Sequence, residues 1–300
     1  MKVQRTGLFV AVTVAAITGA ALAQTPARAV PDFGGVWTHP AVGFGPALKG
    51  PGPIRNLTRT AKGTSDNTKL VGDYKDPILR PEAAEIIRQR GLVSMSGKIF
   101  PDPDVMCLQQ PVPYILWNFD VVFLQQKDKV TLIYQHDNDY RQVWLNQGHP
   151  ADLKPSAHGH SVGHYEGDTL VIDTVGIKVG PYTTIDRLGT PYSDSLHVVE
   201  RYRMLPYAEA KAAMDLAEKE YMRAGPTVDP SYRGHGVQLE FVVEDHKMFT
   251  MPWSASITYL KRERTDWEER ICAENVEHDY NFKYFVPDNV KLPQHERPEF

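Results

Sequence analysis

Three scarcities narrow this chain before any motif is considered. Its 300 residues hold only two cysteines, no apolar run beyond the first two dozen residues, and no surplus of basic side chains. Lys and Arg total 33 against 37 Asp and Glu, for a formal charge of −4. A protein that grips a phosphate backbone needs a basic face, so nucleic acid is excluded as a partner. Also missing are the G-x-S-x-G elbow, the P-loop, the dinucleotide-binding glycine pattern, H-E-x-x-H and C-x-x-C. Nucleotide-dependent enzymes and the common hydrolases are therefore disfavoured. No internal repeat or low-complexity tract is visible.

The one apolar run lies at the start. Lys2 and Arg5 precede an apolar stretch from Gly7 to Ala20, and Ala21-Leu22-Ala23 forms an A-x-A site before Gln24. That is a secretory leader, too short for a membrane span. It predicts a signal peptide over 1–23, a periplasmic or secreted location, and no membrane insertion. Cys107 and Cys272 then face an oxidising compartment, where an even count invites a disulfide. Two separate buried thiols are the alternative, since neither cysteine stands in a nucleophile motif.

Residues 24–300 are expected to form a single β-rich domain whose N-terminal part, 24–113, is largely irregular. Within it, 81–90 predicts a short helix, with Pro81 at the first position and Gly91 as a stop. Past Tyr114 the pattern becomes strand-like over 121–126, 130–136, 140–146, 158–165, 169–175, 196–204, 237–244 and 256–262. A helix is predicted over 206–224, rich in Ala, Glu, Lys and Met. Strands in such a sequence remove their edges by closing. The expected fold is mainly β, an antiparallel meander forming a lipocalin-like barrel or strongly curved sheet, with two helices and long loops. Gly35-Val-Trp37 on the first strand inclines the choice towards the lipocalin type.

The densest cluster of chemistry-bearing residues is His158-Gly-His160-Ser-Val-Gly-His164-Tyr-Glu-Gly-Asp168. On an extended strand, residues two apart share a face, so His158, His160 and His164 are expected to point the same way. The segment 160–174 resembles a motif, roughly GHSVGxWEGDTLVVDT, of a broad and largely uncharacterised group of exported bacterial proteins. Asp32-Phe-Gly-Gly-Val-Trp37, Arg141, Pro191-Tyr-Ser193, Leu196-His-Val-Val-Glu-Arg201, Met251-Pro-Trp253 and Cys272-Ala-Glu-Asn275 are similar to the same group. The resemblance implies secretion and a β-rich fold, and implies no reaction. That pattern has no histidine at positions 158 and 164, and has Trp where Tyr165 stands here.

Two chemistries suit these residues. The first is proton transfer without a cofactor: His160 as acid or base, Glu200 as its partner and Arg141 as an anion clamp. Alternation on the strand through 200 puts Glu200 and His197 on opposite faces. An inward Glu200 needs a partner, which Arg141 or His160 would supply. The second is zinc on His158 and His160, a known ligand spacing, with His149, His197 or Glu200 as third ligand. His164, about 13 Å along the strand from His160, falls outside that set. Of the aromatic residues Trp117, Phe119, Tyr134, Tyr140, Trp144 and Trp253, most are expected in the core. Tyr140, Trp144, Asp186, Ser193 and Trp253 are the candidate substrate contacts. The leading expectation is a lyase, hydratase, isomerase or hydrolase acting on a small, partly apolar organic substrate. The competing expectation is a non-catalytic barrel that holds an apolar ligand.

Overall fold

A computed structural model describes residues 30–39, 41–117, 120–221, 228–262, 267 and 269–272. The leader and Phe119 lie outside the described residues. Nine strands close into a barrel in chain order: β1 (Val36–Thr38), β2 (Val121–Gln125), β3 (Lys129–Tyr134), β4 (Tyr140–Leu145), β5 (His160–Glu166), β6 (Thr169–Val175), β7 (His197–Leu205), β8 (Gly236–Glu244) and β9 (Trp253–Lys261). The mainly β barrel expected of the meander pattern is the fold observed. One step departs from a plain meander, because β4 and β5 run parallel. Tight turns can join only antiparallel neighbours, whereas a parallel pair needs a crossover of about a dozen or more residues. Residues 146–159 are that crossover.

Alternation decides what fills the barrel. Val130, Leu132 and Tyr134 on β3 are buried while their neighbours are partly exposed, and β7 buries Val198, Glu200 and Tyr202 in the same rhythm. Trp37, Phe123, Tyr202, Phe241, Trp253 and Tyr259 crowd the interior, each at most 3% exposed. Phe123 meets Tyr202 edge-on at 5.2 Å and Phe241 meets Trp253 at 6.3 Å. Rings thus pack the described part of the barrel interior. Strand β9 is covered on its outer face too. Outward-facing Ser254, Ser256 and Thr258 meet His39 and the chain around 43–51, with Ser254 N–H donating to Pro51 O (3.0 Å) and Gly45 N–H to Ser256 O (2.8 Å).

The chain between β1 and β2 folds over one mouth of the barrel. Arg80 N–H donates to Met248 O (2.9 Å) and Thr250 N–H to Ile78 O (2.8 Å), tying this segment to the β8–β9 connection. Helix α1 (Pro81–Met95) lies here and outruns the expected stop at Gly91. That glycine serves packing: a Cβ there would sit 2.9 Å from a methyl of Val71. Helix α2 (Tyr207–Glu220) buries Ala210, Met214 and Ala217 and packs with Leu205 and Leu260 on the barrel wall. Cys107 and Cys272 are joined in a disulfide across a sequence separation of 165 residues. No described helix is long and apolar enough to cross a membrane.

Candidate active site

The residues singled out from sequence fall into separate places. Arg141 and Glu200 meet inside the barrel in a two-pronged ion pair, Nη1–Oε1 2.6 Å and Nη2–Oε2 2.7 Å. Tyr202 OH donates to Glu200 Oε2 at 2.8 Å. Burial opposes the guanidinium charge, but Glu200 and the surrounding phenols hold the Arg141 pKa well above its ordinary value. Both side chains are almost wholly sealed from solvent. A buried pair so enclosed by rings fixes how the strands sit.

His160 stands on the other side of the wall. Ser161 faces inward to Thr174 (2.9 Å), so His160, one residue earlier, faces outward. The shared face expected for His158, His160 and His164 breaks at Gly159, whose φ of 66° turns the chain before β5 begins. His158 is instead buried at the barrel mouth, 3.6 Å from Asp139. His158 and His160 therefore do not converge on one point, whereas His149 does approach His160. Among the described residues, the group of three or more potential ligands that converges is His136, Asp137 and Cys272. The Cys272 sulfur is committed to the disulfide.

The expected substrate contacts are equally dispersed. Trp253 is barrel core, and Tyr140 is 63% exposed on the outer wall. Trp144 faces outward beneath the Lys129 ammonium, 5.4 Å from its ring centre. Ser193 is a buried clasp, its N–H and hydroxyl both donating to Asp245 (2.6 and 2.8 Å). Asp186 accepts from Leu188 N–H (2.9 Å), Thr190 N–H (3.1 Å) and Thr190 Oγ1 (2.7 Å), and so shapes the loop that follows. Of these five, Asp186 lines the smaller chamber described next.

That space is a cleft over the capped mouth. Its main cavity, about 330 Å³, lies between the end of α1, residues 98–105 and the loop 187–189. Arg90, Lys98, Phe100, Asp102 and Arg187 contribute to its walls. A narrow chamber walled by Phe44, Ile54, Trp117 and Tyr221 shares Asn67, Leu70, Arg187 and Leu188 with it. One end of the cleft is thus apolar and the other cationic.

Asp102 is the carboxyl on its wall whose pKa is raised. The run Pro101-Asp102-Pro103-Asp104 has two rings that restrict the backbone on either side of the acid. Asp102 O accepts from Met106 N–H (3.1 Å), closing a turn that the disulfide at Cys107 anchors. Val105 N–H donates to Asp102 Oδ1 (2.9 Å) and Tyr114 OH to Oδ2 (3.0 Å). Burial, reinforced by the charge of Asp104, nevertheless pushes the Asp102 pKa up to about 6, against the pull of Arg187. Burial also raises Tyr114 well above its ordinary value, so its hydroxyl stays a donor. Burial lowers Arg90 to about 10, which leaves it cationic near neutrality. Its guanidinium donates to Gly189 O and lies 4.6 Å over the Phe100 ring.

A carboxyl that changes protonation near pH 6, on the wall of a cavity with three cationic side chains, is the arrangement expected of a proton-transfer site. Reading by motif passed over it because 24–113 carries little periodicity. The available cue was the pair of carboxylates in Pro-Asp-Pro-Asp, two residues apart on a stiffened backbone. No known protein family, no curated protein and no solved structure matches the chain.

Proposed function

We propose that the protein is an acid–base enzyme acting on a small organic anion with an apolar part, and that Asp102 is its proton-transfer group. The observation that carries this reading is the Asp102 carboxyl, raised to about 6 by burial, lining the same cavity as Arg90, Lys98 and Arg187. Above pH 6 Asp102 is ionised and poorly solvated, a state suited to taking a proton from carbon or water. Tyr114, already bonded to Oδ2, steadies the carboxylate between turnovers. Arg187 and Lys98 offer their charges to an anionic oxygen, which holds the substrate and stabilises an enolate-like charge as the proton leaves. The apolar remainder of the substrate fits against Phe100, Leu70 and the Trp117 chamber. Elimination and isomerisation begin with removal of a proton from carbon, hydration and hydrolysis with removal of a proton from the attacking water, so the reading commits to proton transfer to Asp102 and to the anionic substrate class.

The proposal extends to place and kinship. A leader-like N-terminus and a disulfide support export to an oxidising compartment, the periplasm or the cell exterior. Membership of the exported group whose motif residues 160–174 resemble belongs to the same proposal.

A panel of small aliphatic and aromatic carboxylates, screened first for thermal protection and then for turnover, tests it. Asp102→Asn should keep ligand protection while kcat falls about 100-fold or more. In the unaltered protein kcat/KM should rise with pH through about 6, as the base loses its proton. Binding without turnover, equal in both proteins, would make this a carrier of organic anions. Turnover in Asp102→Asn at the original rate would remove Asp102 from the chemistry.

A further inference from the structure

On the opposite side of the barrel wall from the core ion pair, three histidines gather around one carboxylate. Asp173 faces outward from β6, His160 from β5 and His197 from β7, and the crossover 146–159 delivers His149 to the same spot. His149 Nε2 lies 3.0 Å from Asp173 Oδ1 and His197 Nε2 lies 3.1 Å from Asp173 Oδ2. An aspartate can only accept here, so both imidazoles present Nε2–H to it. The neutral His149 ring then carries its lone pair on Nδ1. That nitrogen accepts a hydrogen bond from Nδ1–H of His160, 2.9 Å away, and an ion joining the two nitrogens would leave the His160 proton on Nε2. A carboxylate that fixes the tautomer and orientation of an imidazole is the usual outer support of a metal-ligating histidine.

We infer that His149 and His160 form a binding site for a divalent transition-metal ion, with Asp173 as the positioning residue for His149 and solvent completing the coordination. The nitrogen separation indicates which ions fit. With bonds of about 2.0–2.1 Å, ligands at a right angle on one ion lie roughly 2.9 Å apart, and ligands at the tetrahedral angle roughly 3.3 Å. The observed 2.9 Å matches the right-angle arrangement of tetragonal Cu(II) or Ni(II) better than tetrahedral zinc. The site is open to an arriving ion, since the His149 and His197 side chains remain 24% and 33% exposed. The site stands apart from the Asp102 cleft, and neither reading depends on the other.

Cu(II) titrated into the untagged full chain in a non-coordinating buffer tests the inference, followed by calorimetry and electron paramagnetic resonance. The expected result is a tight equivalent whose spectrum shows two coordinated imidazole nitrogens and which EDTA removes. His149→Ala and His160→Gln should each weaken that equivalent at least about tenfold, and Asp173→Asn about 10- to 100-fold. His164→Gln, on the same strand but bonded to Glu166 (3.0 Å), should leave it unchanged. Thermal unfolding of each variant confirms that binding is read on folded protein, and the His149 and His160 changes sit on different segments. Wild-type affinity in both His149→Ala and His160→Gln would overturn the site, as would a spectrum without two imidazole nitrogens.

Discussion

Arg141 and Asp102 are buried charges with opposite solutions. Arg141 has its charge paired with Glu200 through two short bonds in a shell of tyrosines. Removing one partner leaves the other charged and unpaired in the barrel core, which typically costs 3–5 kcal/mol. Arg141→Met should therefore lower unfolding stability by about 3–5 kcal/mol in a urea titration. Adding Glu200→Leu to it should restore much of the loss. A midpoint unmoved by Arg141→Met would mean the pair is not a barrel-holding contact. Asp102 is left only partly compensated, and its raised pKa is the sign of it. Strand alternation made the inward direction of Glu200 legible, together with its need for Arg141 or His160. It did not show that rings would enclose that pair so closely. The rotamers and sizes of Tyr134, Tyr202 and Tyr259, drawn from three strands, decide that.

At the scale of elements, period-two patterning located the strands from β2 to β8 to within a residue or two. Its failures have local causes. Gly159 reverses the chain through a positive φ, so His158 leaves the strand face shared by His160 and His164. Gly91 sits inside α1 because Val71 packs against it. The parallel β4–β5 pair lay hidden because a long polar connection says nothing of the direction in which the next strand runs. Gly163 holds that pair close: a Cβ there would lie 2.8 Å from both a Val143 methyl and the Val171 carbonyl. Neither the strand backbone nor a buried valine yields easily, so Gly163→Ala should cost about 1–3 kcal/mol. Denaturant unfolding checks this, and an unchanged midpoint would show that β4 and β5 are not so closely packed.

At the scale of the whole molecule, the barrel is a scaffold and the irregular chain carries the candidate chemistry. The cleft draws on 67–70, on α1 and residues 98–105, and on 187–189. These segments share no sequence spacing, and the fold of 41–117 over the barrel mouth brings them to the loop 187–189. Loops positioned by a rigid frame are where binding residues often lie. The barrel itself was legible because its period repeats along the strands. The cleft was not, because its parts meet only in space.

The central claim is that Asp102 is a proton-transfer group in a cleft for small organic anions. Its most direct test is a carbon-13 NMR titration of the aspartate carboxyls, with Asp102→Asn to assign the resonance and a small carboxylate as added ligand. A midpoint near pH 6 is expected, absent from the variant and displaced when the carboxylate binds. A midpoint near 4, indifferent to every anion tried, would contradict it.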